Sequence, residues 1–201
     1  MTLLSMLLLL LFPHSGRPSR APASRFWSGG VHHLLLRRAF EKEPEDCLRQ
    51  MEAGSNRIDR PANQGPDHAY QHAMRSASET IPLARARMAE FIRGEYELAA
   101  SIRNAAPDPV SYLESCFHRG MALHPVMDST SPAHRNMGIW SPLDLAQLLR
   151  HGDFPSSAEN IDAFLHSPDA LERTTRLMRM VDETYLDLGF LDFLFDFRDS
   201  G

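Results

Sequence analysis

Residues 110–134 read VSYLESCFHRGMALHPVMDSTSPAH, and the reading of this run decides the fold. Apolar side chains recur at Tyr112, Leu113, Phe117, Met121, Leu123 and Met127, the spacing of one buried side of a long α-helix. His124 and Asp128 stand one helical turn apart on the other edge, so both side chains leave the same face. His118 falls off that face. Pro132 biases Ser131 away from helical angles and lacks an N–H, so the helix is expected to end there, with His134 on a turn of different direction. The product is an H-x3-D-x5-H array of His124, Asp128 and His134. Imidazole nitrogen and carboxylate oxygen are the donors of hydrolytic zinc sites, and an i, i+4 pair grips one ion without straining the backbone. The competing reading is an amphipathic helix with a few satisfied histidines.

Outward from this run, the periodicity predicts more helices. Ser78 to Ala100 places Ile81, Ala84, Met88, Phe91 and Ile92 on one face and Arg85, Arg87, Glu90 and Arg93 mostly outside it. Gly29 and Gly30 precede VHHLLLRRAFEKE, a helix-like stripe of Leu34, Leu35, Ala39 and Phe40 that begins near His32. Glu45 to Ala53 is expected to be helical with Leu48 and Met51 inward, and Gly54 and Ser55 are expected to stop it. NRIDRPANQGPDHAYQHAMRS then reads as a loop holding Asp59, Asp67, His68 and His72, the kind of segment on which ligands sit over a rigid scaffold. Asn104 to Pro109 is a further loop. Beyond Trp140, Pro142 to Arg150 and Ala158 to His166 read as short helices, with His151 at the edge of the first and Ser156 or Ser157 capping the second. A last helix runs from Asp169 to about Asp187, with Leu171, Leu177, Met178, Val181 and Tyr185 inward. No strand pair and no repeat stands out, so residues 25–190 read as a single all-α domain. The tail, residues 191–201, alternates Phe and Leu with Asp and fits a frayed helix, a β-like edge or a segment that docks a partner.

Composition narrows the function. A chain of 201 residues builds one domain with a real core. Its net charge of -5 offers no electrostatic case for duplex nucleic acid or an acidic membrane. Histidine is the outlier, with ten in the chain. Cys47 and Cys116 form one disulfide or none. Met1 to Phe12 is an apolar run shorter than the roughly 20 residues that span a bilayer, and of the length of an export signal's apolar region. No Lys or Arg precedes it, and small residues appear only downstream at Ala21, Ala23 and Ser24. Residues 1–24 therefore read as a leader and Pro-rich linker of a secreted or periplasmic protein. The alternatives are a misassigned start and a buried N-terminal helix, for which the protein is cytoplasmic.

The run GMALHPVMDSTSPAHRNMGIW resembles the zinc-dependent phospholipase C and S1-type nuclease superfamily, and more closely the phospholipase-like domains of bacterial Rhs-associated proteins. Two upstream segments are similar as well: Gly54-Ser55 with Asp59, followed by His72-Ala73-Met74-Arg75, and His32 seven residues before Ala39. The resemblance covers His32 to His151, in the family's order. It implies an all-α fold around two or three zinc ions. It further implies that Asp59, His72, His124 and Asp128 share one ion, that His32 serves another, and that Asp128 bridges the two. His134 and a later H-x3-E pair would hold the third. His151 fits the first member of that pair, but Pro155 stands where the Glu is expected, with Asp153 or Glu159 as substitutes. A family N-terminal Trp ligand has its counterpart in Trp27 only if the chain is cleaved after Phe26.

On this reading the metal ligands are His32, Asp59, His72, His124, Asp128, His134 and His151, and Asp59 is also the base toward the attacking water. His33 competes with His32, and His68 with His72, for their roles; Arg75 is positioned to meet a phosphate oxygen or to form an exposed salt bridge. The expected activity is zinc-dependent hydrolysis of phosphoric esters, with a phospholipid or other phosphodiester as substrate and contact with a membrane surface. Alternatives are a single-strand nuclease, for which Tyr70, Phe117 and Trp140 are the candidate stacking platforms, and a non-catalytic helical module stapled by zinc. A partner-docking role of the tail is a third.

Overall fold

The computed structural model describes residues 29–131, 134, 136–140 and 167–185. They form an all-α domain of five helices: α1 (Gly29–Ala39), α2 (Glu45–Ile58), α3 (Ile81–Ala105), α4 (Pro109–Asp128) and α5 (Pro168–Thr184). Two 3-10 segments, Pro61–Asn63 and Pro66–His72, fill the connection from α2 to α3. No helix among the described residues is long and apolar enough to cross a membrane.

The helix starts follow from the sequence. Asp108 caps α4 by accepting from the N–H groups of Val110 and Ser111, with Pro109 at the first helical position, where its missing donor is harmless. Thr80 and Ser167 cap α3 and α5 in the same way, each followed by a proline in the first turn.

The core is organised on α2 and α4. These helices run parallel and meet at a constant offset: Cys47 is bonded to Cys116, Gly120 lies against Met51, and Ser55 bonds His124. The offset is 69 residues in both the disulfide and the Ser55–His124 pair. The contacts recur every four residues, one turn of each helix. A close crossing makes this possible. A Cβ on Gly54 would stand 2.0 Å from the Phe117 carbonyl oxygen, and one on Gly120 would stand 2.0 Å from that of Met51. Gly54 and Ser55 therefore do not stop α2, contrary to the sequence expectation, and the helix continues to Ile58. The helical penalty of a glycine, about 1 kcal/mol, is outweighed by the backbone approach it permits.

Leu35, Leu36, Met51, Met88, Ile92, Leu123, Met127 and Met178 fill the interior between these helices. On α4 the buried side matches the expected one only in part, at Leu123 and Met127. Cys116, Gly120, Leu123, His124 and Met127 are buried, whereas Tyr112, Leu113, Phe117 and Met121 are half-buried. Glu43, Arg119 and Asp182 tie the turn after α1, α4 and α5 together, with Arg119 bonding Glu43 at 2.8 Å and Asp182 at 3.0 Å. The expected helices 142–150 and 158–166 and the tail 191–201 lie outside the described residues.

Candidate metal centre

The parallel pairing of α2 and α4 brings their C-terminal ends side by side. Asp59 follows the last residue of α2 and Asp128 is the last of α4. Helix C-termini carry partial negative charge from unsatisfied carbonyls, so both ends and both carboxylates favour a cation at this place.

Three histidines close on the two carboxylates from different elements. His32, in the first turn of α1, places Nε2 3.0 Å from Asp128 Oδ1 and Nδ1 3.8 Å from Asp59 Oδ2. His124 places Nε2 3.1 Å from Asp128 Oδ2 and 3.5 Å from Asp59 Oδ1. His72, at the end of the second 3-10 segment, has Nδ1 3.3 Å from Asp128 Oδ2 and 3.2 Å from His124 Nε2. Two ligand sets arise, His32 with Asp59 and His124, and His72 with His124 and Asp128, each with its donor atoms within 4.8 Å of one another. Neutral imidazole and carboxylate are a fitting set for zinc.

Burial separates the members. The side chains of His32, His72, His124 and Asp128 are buried, whereas that of Asp59 is 34% exposed. Solvent therefore reaches the cluster on the Asp59 side. Burial works against the Asp128 anion, but facing His124 and His134 and hydrogen bonds from His124 and His32 hold its carboxyl well below the usual carboxylate range. Burial also opposes the His32 cation, yet the Asp128 hydrogen bond and the charges of Asp128 and Asp59 raise its pKa. Burial and the nearby His32 push His124 down. The set thus holds an ionised carboxylate and a neutral imidazole side by side, as metal ligation requires.

His72 is placed by unusual backbone. Ala73 adopts φ 50°, a left-handed conformation that costs a non-glycine residue about 1–2 kcal/mol. The turn delivers the chain to a short parallel bridge, in which Arg75 donates N–H to Gly138 (3.0 Å) and accepts from Trp140 (2.7 Å). Trp140 then stacks on the His72 ring, centroids 5.2 Å apart. His134 Nδ1 lies 2.5 Å from the His72 carbonyl, to which it donates. His134 is buried beside the cluster, close enough to act electrostatically on Asp128 and His32, but it belongs to neither ligand set.

The remaining candidates divide plainly. His33 faces away from the cluster and contacts Asn56 Oδ1 at 3.1 Å. His68 is in neither set. His118 pairs with Glu95 at 2.7 Å. Arg75 donates to the Glu79 carbonyl. His151, Asp153, Pro155, Glu159 and Trp27 lie outside the described residues. Two residues not singled out as site residues by the sequence reading touch the ligands: Ser55 bonds His124, and Gln64 bonds His72. Ser55 carried a signal, four residues before Asp59 on one helical face; Gln64 carried none.

An open charged cleft of about 860 Å³ lies elsewhere, lined in part by Glu43, Arg119, Glu172, Arg179 and Asp182, and shares no residue with the cluster. Its charges pair with one another, Arg119 with Glu43 and Asp182 and Arg179 with Glu172. No family model, no curated protein and no solved structure matches the chain.

Proposed function

We propose that the protein is a zinc-dependent hydrolase of phosphoric esters, phospholipase C-like, whose reaction centre is the pocket of His32, Asp59, His72, His124 and Asp128. The observation that carries the reading is the convergence of these five side chains, from four separate segments of the chain, in one buried cluster with one partly exposed carboxylate. The family resemblance implies these five as ligands, together with His134 and His151.

Zinc, when bound, neutralises charge that builds on a phosphoryl group and lowers the pKa of a bound water toward neutrality. The protein's own groups do the rest. His124 is the member common to both ligand sets, while Asp128 turns Oδ1 toward His32 and Oδ2 toward His72 and His124, so its carboxylate touches histidines of both. Asp59, at the solvent-reached rim, is the group able both to ligate and to take a proton from the attacking water. The buried histidines exclude bulk solvent from the other side.

Phospholipid is the favoured substrate over single-stranded nucleic acid. Trp140, which stacks on the ligand His72, is 9% exposed and turns its face to that ring, so it offers no open platform for a base. The Cys47–Cys116 disulfide supports export, since such bonds persist in oxidising compartments.

The test is hydrolysis of phosphatidylcholine vesicles and of single-stranded DNA by zinc-loaded protein, with Asp59→Asn as control. Release of phosphocholine, lost by about a hundredfold or more in the variant, supports the reading. Cleavage of DNA alone makes the protein a nuclease of the same chemistry, and no hydrolysis by a zinc-loaded protein leaves a zinc-stapled module.

A further inference from the structure

Two of the pocket histidines are held from behind. His124 turns Nε2 toward Asp128 and Asp59, while its Nδ1 lies 3.1 Å from the Ser55 hydroxyl on the neighbouring helix. Ser55 and His124 are both fully buried. His72 is turned the opposite way, with Nδ1 toward Asp128 and Nε2 3.2 Å from the Gln64 side-chain amide. The two rings thus present different nitrogens to the same place, and each has one polar partner on its far nitrogen.

A neutral imidazole carries one proton, and it binds a cation only through the other nitrogen. Whatever accepts a hydrogen bond at the far nitrogen fixes the proton there and frees the near lone pair. We propose that Ser55 and Gln64 are positioning residues that hold the protons on His124 Nδ1 and His72 Nε2, so that His124 Nε2 and His72 Nδ1 form the metal-facing pair. This rests on the reading of the pocket as a metal centre and names what orients its ligands.

Both partners are able to play this part, Gln64 with its amide turned. A serine hydroxyl accepts from Nδ1–H while keeping its own hydrogen for another acceptor. The Gln64 amide places nitrogen toward His72, and a half-turn of the amide puts its carbonyl oxygen in the same space. With oxygen there, Nε2–H donates and Nδ1 keeps its lone pair; with nitrogen there, the proton belongs on Nδ1. Glutamine serves either tautomer, whereas a glutamate at this position serves only the one that binds metal. That difference makes the role testable without destroying the site.

The experiment is zinc affinity by chelator competition on the wild type, Ser55→Ala, Gln64→Met and Gln64→Glu, each with a thermal melt. It is joined by nitrogen-15 NMR of the histidine rings in the zinc-loaded wild type. Ser55→Ala and Gln64→Met are expected to weaken zinc binding by about 10–100-fold. Gln64→Glu is expected to bind as tightly as the wild type or more so, and the spectra to show protons on His124 Nδ1 and His72 Nε2. Unchanged affinity in both Ser55→Ala and Gln64→Met overturns the positioning role, even where a lowered melting temperature shows a packing role. So do ring protons on the opposite nitrogens. A folded wild type that takes up no zinc overturns the metal reading itself and this inference with it. Gln64 sits half-buried in a turn, so its variants remain informative if Ser55→Ala fails to fold.

Discussion

The two ends of the α2–α4 pair are built on one register and in opposite chemistry. At one end Cys47 and Cys116 are fully buried and covalently joined, with no charge between them. Two turns along, on the same rungs, Ser55 meets His124, and beyond them Asp59 and Asp128 crowd against three histidines. The first end stabilises itself. The second gathers carboxylates and helix C-termini whose mutual repulsion only a cation or a proton relieves. A parallel helix pair clamped at one end fixes, through a shared four-residue repeat, which side chains face each other at the other. The covalent end sets the alignment that the polar end needs.

Breaking the clamp is expected to give the largest effect. Replacing both cysteines by alanine releases a loop of 69 residues, and the chain-entropy estimate for such a loop is about 4 kcal/mol. Chemical denaturation measures it, and zinc affinity is expected to fall with it because α2 and α4 are no longer held in register. A double variant that loses stability but binds zinc as before would uncouple the two ends.

Gly120→Ala attacks the crossing between them. The added methyl group would sit 2.0 Å from the Met51 carbonyl oxygen, which is backbone and cannot swing aside. A loss of about 3 kcal/mol follows from overpacking of this kind. Denaturation of the intact-disulfide protein reads it, and a loss within experimental error would mean that the helices separate easily.

The third effect is one of pH and confined to the polar end. The folded protein holds the His32 proton above the ordinary value of 6.5, because Asp128 and Asp59 outweigh its burial. The stability this adds is complete below pH 6.5 and is lost as pH rises through the raised value. A ligand nitrogen must shed that proton, so apparent zinc affinity is expected to fall about tenfold per pH unit on acidification below the raised value. Competition titrations across neutrality check the slope. A flat profile would remove His32 from the ligands.

Much of this was legible in the chain. The i, i+4 pair of His124 and Asp128 and the all-α class follow from local rules, whereas α3 and α5 were expected to begin at Ser78 and Asp169 and instead begin after the caps Thr80 and Ser167, each followed by a proline in the first turn. What local rules missed is tertiary. Gly54 and Ser55 carry the composition of a helix stop, and only the approach of Phe117 explains why a helix passes through them. His32 and His33 are neighbours on one helix about 100° apart, and the pattern of apolar residues alone did not decide which faces in. The buried side of α4 was read correctly at Leu123 and Met127 and missed at the crossing, because Cys116 and Gly120, small and unremarkable in a periodicity, line it, while larger Phe117 and Met121 stay half-buried. Gln64 acquires its place only when a 3-10 turn folds it over His72.

The most direct test of the pocket as a metal centre is the metal content of the purified protein by elemental analysis, beside that of Asp128→Ala. The account predicts about two or three zinc ions per chain, lost in the variant together with hydrolysis. A folded, zinc-supplied wild type without zinc, or an Asp128→Ala variant with full zinc and full activity, would contradict it.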